Sequence, residues 1–384
     1  MTAPVAIELF CGCGGLSTGL LDAGVRVVAG FDSDRPSIEA FAFNHQHRGA
    51  RAIQADLVGR DAASLLDMAG TDRVDLVAGG PPCQPFSIAG RRLGLKDKRA
   101  RLVAEFIRIV GELRPPAFLF ENVPNFASML DGQLLAELRQ AMSSLGYSVT
   151  DGVLVAADYG VPQLRRRLFV LGYQKLSPPR LPFPTHGSPL LGLERFRTAA
   201  DALQDLPDAA DYGECGVFNH EPTSHSGVML ERFATLVPGR RERNSFHDRL
   251  HSNKPSYTLR AGTGNFSPLR PVHYKYDRVV TVRESARLQS FPDDFIWPDW
   301  IPRLQQYRQV GNAVPPLLAR RVAESMALDL GWQLEPAQLV GDPSARPNPI
   351  TLTDDEKRSQ RRSRTRGASL GKAGLRAQDS QPQG

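Results

Sequence analysis

The sequence predicts an α/β protein built on a doubly wound, mostly parallel sheet, with a smaller, loop-rich second domain. Three observations predict it. Over roughly the first 170 residues, apolar runs of strand length alternate with segments whose apolar residues recur at helical spacing. A glycine-rich turn follows the first of those runs directly. From Ser177 onward the chain becomes rich in Pro and Gly, and regular periodicity largely disappears until about Val279.

In chain order, VAIELF (5–10), VRVVAGF (25–31), VDLVAG (74–79), AFLFENV (117–123) and LFVLG (168–172) read as buried strands. SIEAFAFN, LVAEFIRIVGEL and LLAELRQAMSSL, between them, read as helices. The turn FCGCGGLSTG carries Gly12, Gly14, Gly15 and Gly19 and opens a helix, which lets backbone and a helix N-terminus approach a nucleotide. Its spacing departs from GxGxxG because Ser17 stands at the third glycine place, and a glycine-rich turn without a ligand is the plainer alternative. Asp32 ends the second strand twenty residues after Gly12, where a carboxylate meets ribose hydroxyls. Asp56, in QADLV, ends the next strand within reach of an adenine amino group. Together these residues predict an adenosine-containing cofactor without saying which. A last helix over about 315–330 opens on prolines, as helix starts often do.

With 384 residues the chain exceeds the usual single-domain size, so two domains are expected. The first covers 1–175 and is completed by 305–332, the second covers 176–304, and 343–384 is a disordered basic tail whose composition cannot bury a core. Charge is unevenly spread: residues 357–384 hold eight Lys/Arg against one acid, so the net +6 leaves the body nearly neutral. Within the body, 90–101 and 232–275 are locally basic, as phosphate contacts require. Four cysteines without CxxC spacing argue against a disulfide scaffold and against a zinc site, so free thiols in a reducing compartment are expected. No run approaches the ~20 apolar residues of a membrane span and no leader pattern opens the chain, so a cytoplasmic, soluble protein is expected.

Cys83 stands in GGPPCQPFS, behind two prolines that forbid a helix interior, at the sheet edge where open α/β sheets hold ligands. A thiol there is a nucleophile once ionised, or simply a packed loop cysteine. Glu121 and Asn122 emerge one strand along, in FENVPNF; Glu121 is an acid/base candidate or a salt-bridged acid. In LRRRLFVLG, Arg165 and Arg167 share one face of an extended segment and Arg166 takes the other, for catalysis or for structural ion pairs.

The blocks GGPPCQPFS, ENVPNF, Gln163-Leu164-Arg165-Arg166-Arg167, RESARLQSFPDDF (283–295) and QVGNAVPP (309–316), in this order behind FCGCGGLSTG, resemble those of the DNA cytosine-5 methyltransferases of bacterial restriction–modification type. The resemblance covers roughly 5–175 and 279–328. It implies a Rossmann-like fold dependent on S-adenosylmethionine, a flipped-out cytosine, and Cys83 adding to carbon-6 to make carbon-5 nucleophilic. Glu121 would then neutralise charge at ring nitrogen 3, Arg167 would hold the cytosine carbonyl oxygen, and Arg165 would support the cysteine and base. Phe10, Asp32, Asp56, Leu102 and Asn312 fall where the family lines its S-adenosylmethionine pocket, with Asp32-Ser33 where relatives commonly have Glu and an aromatic; Gly12 and Gly14 of the glycine turn complete the expected cofactor-binding set. No metal is implied.

By the same resemblance, residues 90–101 suit a loop closing over DNA, and 176–278 occupy the target-recognition position. Ser87, Arg91, Arg99, Thr258 and Arg260 are the expected DNA contacts, with double-stranded DNA as partner. A monomer is expected, with a cognate restriction endonuclease in the same system and no direct contact between them. Three rivals stay open. An NAD-dependent oxidoreductase would share the glycine loop, an RNA cytosine-5 methyltransferase acting on tRNA would share every block, and a catalytically dead relative would only bind DNA.

Overall fold

The computed structural model describes residues 3–82, 100–240, 247–262 and 271–336. The chain divides into a unit Met1–Arg346 and a second, Pro347–Gly384, which lies wholly outside the described residues, as does the expected tail from 343 on.

Five parallel strands form one side of a seven-stranded sheet, with β3 at its edge: β1 (Val5–Leu9), β2 (Arg26–Asp32), β3 (Arg51–Gln54), β4 (Leu76–Gly79) and β5 (Ala117–Asn122). Two antiparallel strands, β6 (Ser148–Val155) and β7 (Arg166–Tyr173), complete the order β3-β2-β1-β4-β5-β7-β6. The expected mostly parallel sheet is present. The sequence reading contained no strand over 148–155, because SVTDGVLV mixes polar and apolar residues on an edge that is mostly half-buried.

Period-2 alternation sorts the strands onto two apolar layers. Ala117 and Leu119 join a cluster with α1 (Gly15–Ala23), α2 (Arg35–His45) and α11 (Pro316–Leu330), whereas Phe118 and Phe120 join one with α3 (Ala62–Ala69), α4 (Arg101–Leu113) and α5 (Gln133–Ser144). The last helix thus returns to the first strands. Helix α1 meets α11 at Gly19, where a β-carbon would come within 2.2 Å of the Pro316 carbonyl and 2.5 Å of the Ala319 β-carbon. Gly19→Ala is therefore expected to force the helices apart and cost about 1–3 kcal/mol, read as a lowered midpoint in denaturant melts. An unchanged midpoint would refute the close approach.

Residues 176–302 contribute short elements: α6 (Ala199–Leu203), α7 (Tyr212–Cys215), α8 (Gly227–Ala234), a two-residue pair β8 (Asp248–Arg249) and β9 (Pro271–Val272), and α9 (Val282–Leu288). Thr281 and Glu284 form a capping box that starts α9. The buried Arg283 ties α9 to irregular backbone, donating to the carbonyls of Phe218 (3.1 Å), Pro292 (3.2 Å) and Phe295 (2.8 Å). A third apolar cluster around Trp297, Phe291 and Tyr307 also takes in Cys13 and Ala40 of the first layer. Helix α10 (Arg303–Asn312) follows it and leads into α11. Among the described residues no helix is long and apolar enough to cross a membrane.

Candidate active site

One cavity of about 640 Å³ lies at the carboxyl ends of β1, β2, β4 and β5, within the usual size for a small-molecule site. Its wall includes Phe10, Gly12, Asp32, Asp56, Leu102 and Asn312, and also Pro81, Pro82, Glu121, Asn122 and Arg167. Both expected groups of residues therefore face a single space.

The glycine turn explains one side. Phe10 and Gly12 leave β1 with positive φ (57° and 55°), and Gly14 caps α1 at φ 94°. Gly12 N–H donates to Asp32 Oδ2 (2.9 Å) and Asp34 N–H to Asp32 Oδ1 (2.8 Å), so the carboxylate at the end of β2 fixes the turn as well as facing the cavity. Burial pushes Asp32 above the ordinary carboxylate range despite these two donors. Asp56 Oδ1 accepts Val58 N–H at 3.0 Å. Gly14 faces elsewhere. It is not among the lining residues, and its α-carbon abuts the ring of His45, where a β-carbon would come within 2.3 Å.

Glu8 was not anticipated. The strand parity that places Ala6 on the α1 side places Glu8 there too. Its Oε2 accepts both the N–H (2.9 Å) and the hydroxyl of Ser17, capping α1 from a neighbouring strand because Gly14 has no side chain to do so. An acid inside the otherwise apolar VAIELF was the available signal. Burial pushes this carboxyl up to about 8 from 4.5. A raised carboxyl keeps its proton in the folded state while the unfolded chain loses it. The contribution of Glu8 to stability is thus expected to fall by up to about 1.4 kcal/mol per pH unit between about 4.5 and about 8, and to be constant outside that window. Glu8→Gln should flatten that slope in thermal melts; an identical slope in both proteins would contradict it.

On the other side, β5 and β7 pair with Glu121 opposite Phe169, which makes Arg167 the diagonal neighbour of Glu121 on one face. Arg167 Nε lies 2.8 Å from Glu121 Oε1, both side chains being about nine-tenths buried. Burial pushes the Glu121 carboxyl above its ordinary range, against the opposing pull of Arg167 and Arg165. Asn122 Nδ2 donates to the Pro81 carbonyl (2.9 Å), tying ENVP to the loop after β4. Gly80 permits the approach, since a β-carbon there would sit 2.8 Å from Glu121 Oε2. Cys83, Ser87, Arg91 and Arg99 lie outside the described residues, as do residues 90–99 of the loop expected to close over DNA; its last two, Ala100 and Arg101, instead cap and begin α4.

Arg165 and Arg167 are buried and Arg166 is exposed, as alternation predicts. Arg165 is fully buried and donates to three backbone carbonyls, Leu259 (3.1 Å), Gly311 (2.8 Å) and Asn312 (3.2 Å). Its hydrogen bonds thus clamp the QLRRR block to the Thr258-Leu259 segment and to the end of α10. Gln163, also missed as a positioning residue, donates to Leu288 O (3.1 Å) and Gln289 Oε1 (2.7 Å) and accepts Leu259 N–H (3.0 Å). Thr258 and Arg260 are exposed beside it, Thr258 donating to Leu164 O at 3.2 Å.

A sheet of this order, with a cavity at the carboxyl ends of its parallel strands, defines a Rossmann-like fold built to hold a ligand there. The description "C-5 cytosine-specific DNA methylase" matches residues 5–327, and the chain belongs to that family, whose methyl donor is S-adenosylmethionine. Type II methyltransferase M.XorII of Xanthomonas oryzae is 37% identical over 84% of this chain and 84% of its own. M1.HphI of Haemophilus parahaemolyticus is 35% identical over 83% and 86%. Among solved structures, a prophage-encoded DNA modification methyltransferase from E. coli superposes with a TM-score of 0.71 at 27% identity, over 86% of this chain and all of that one. The chain is accordingly a DNA cytosine-5 methyltransferase.

Proposed function

We propose that the single cavity holds S-adenosylmethionine against a cytosine flipped out of duplex DNA, and that Cys83 is the nucleophile that activates the base. The continuity of the cavity from Asp32 and Asp56 to Glu121 and Arg167 carries this reading, because methyl transfer needs donor and acceptor in contact. The lining suits the donor: Phe10, Leu57 and Leu102 offer apolar contact for adenine, and Asp32 and Asp56 offer acceptors for hydroxyl and amino groups. When bound, the donor supplies an electrophilic methyl group.

The chain's own residues do the rest. The Cys83 thiolate adds to carbon-6 while Glu121 delivers a proton to ring nitrogen 3, so the electron pair pushed into the ring is neutralised and carbon-5 becomes enamine-like. Arg167, oriented by Glu121, holds the carbonyl oxygen. After methylation, a base takes the carbon-5 proton, Cys83 leaves as thiolate and ring nitrogen 3 returns its proton to Glu121, which restores both the aromatic ring and the acid. Arg165 acts by holding strand β7 to the Leu259 and Gly311 backbones, so it is a positioning residue in this reading.

In this reading 1–175 with 305–332 form the catalytic domain and 176–304 the target-recognition domain, where Thr258 and Arg260 meet DNA together with Ser87, Arg91 and Arg99. The relatives named type II methyltransferases support a protective role beside a restriction endonuclease, with the enzyme acting as a monomer in the cytoplasm. The test is methylation of a defined duplex followed by bisulfite mapping, with tRNA in parallel. A single modified cytosine context in DNA is expected; transfer confined to tRNA would overturn the DNA assignment.

A further inference from the structure

We propose that Arg308, assisted by Gln309, recognises the carboxylate at the amino-acid end of S-adenosylmethionine. This rests on the reading of the cavity as the donor site. The cavity wall carries five carboxyl groups, Glu8, Asp32, Asp34, Asp56 and Glu121, and two guanidiniums, Arg167 and Arg308. Arg167 is committed to Glu121. Glu8 takes the Ser17 donors, Asp32 takes backbone N–H groups, Asp34 takes Ser37 N–H (3.1 Å) and hydroxyl (2.6 Å), and Asp56 takes Val58 N–H. Arg308 alone of these charges makes no hydrogen bond or ion pair among the described residues, and its Nε is buried without a partner.

Its neighbour repeats the pattern. Gln309 is 6% exposed, its Oε1 accepts the indole N–H of Trp297 at 3.0 Å, and that contact leaves Nε2 as a buried donor with no partner among the described residues. Two successive residues of α10 thus line the cavity with unmet donors, one turn before Asn312. Buried donors are almost always satisfied, so a ligand acceptor is the missing partner. S-adenosylmethionine carries a sulfonium and an ammonium, which suit the carboxyl oxygens of the wall, and one anion, which needs a cation or a free donor. Ser17 N–H at the start of α1, a natural anion site, is already occupied by Glu8. The uncommitted cation therefore falls to the carboxylate.

Calorimetric titration of the full chain, without DNA, with S-adenosylmethionine and with its decarboxylated analogue tests this. The wild type should prefer the carboxylated ligand by about 10- to 100-fold, as a charge-assisted hydrogen bond allows. R308A should lose that preference, with affinity for the decarboxylated analogue changed less than about threefold, and R308K should retain part of it. Parallel weakening of both ligands in R308A and R308K would make Arg308 structural and overturn the proposal. So would unchanged donor affinity with a reduced salt dependence of DNA binding, the sign of a phosphate contact. Failure of the wild type to bind either ligand would instead sink the reading of the cavity itself.

Discussion

Replacing Cys83 with alanine is expected to lower cytosine methylation by at least about 10⁴-fold while leaving DNA affinity within about threefold of wild type. The size follows from the substrate. Carbon-5 of a cytosine is too electron-poor to attack a methyl donor, and neither positioning nor hydrogen bonding alone supplies the missing electron pair. Addition of a thiolate to carbon-6 does, and serine in its place would remain protonated near neutral pH. Affinity should be spared because phosphate contacts, spread over basic segments such as 90–101 and 232–275, supply most of the binding. Single-turnover transfer from labelled donor gives the rate. DNA carrying 5-fluorocytosine gives the mechanism, since fluorine cannot leave as a proton does and the adduct stays attached to the protein on a denaturing gel. A C83A enzyme keeping a tenth of the wild-type rate, or an active wild type that forms no adduct, would refute covalent activation.

Much of the site was legible because its residues sit at strand ends, where an apolar run stops and a side chain must emerge at the sheet edge. Asp32 after VRVVAGF and Glu121 after AFLF are such cases, and both line the cavity. Contacts between distant segments were not legible. Nothing local in QLRRR says that Arg165 will meet the carbonyls of Leu259 and Gly311, 94 and 146 residues away. Gly14 was grouped with the ligand-facing glycines on spacing, yet its freedom is spent on a positive φ beside His45. Strand β6 escaped notice because an edge strand needs no continuous apolar run. Arg308 and Gln309 escaped too, for a charged residue in a helical stretch resembles any solvated face until its neighbours are known.

Glu121→Gln should lower kcat by about 10²- to 10⁴-fold, the range for losing a positioned acid, and should also change the pH profile. In the wild type the rate needs two groups in opposite states: a deprotonated Cys83 and a protonated Glu121. Because burial raises the Glu121 carboxyl above its usual range, its proton persists to higher pH than an exposed glutamate's would. The rate should therefore rise with pH as the thiol ionises and fall again as Glu121 loses its proton, a bell in kcat/KM. Glutamine keeps the shape and a donor toward ring nitrogen 3 but has no proton to transfer, so the variant should be slow with the alkaline limb gone. It also replaces the carboxyl group 2.8 Å from Arg167, so some loss of stability is expected and is read separately by melting. That separation matters, since destabilisation alone would reduce the active fraction without altering the profile. Retention of the alkaline limb at a rate within about threefold of wild type would assign the proton to another group and leave Glu121 as the structural partner of Arg167.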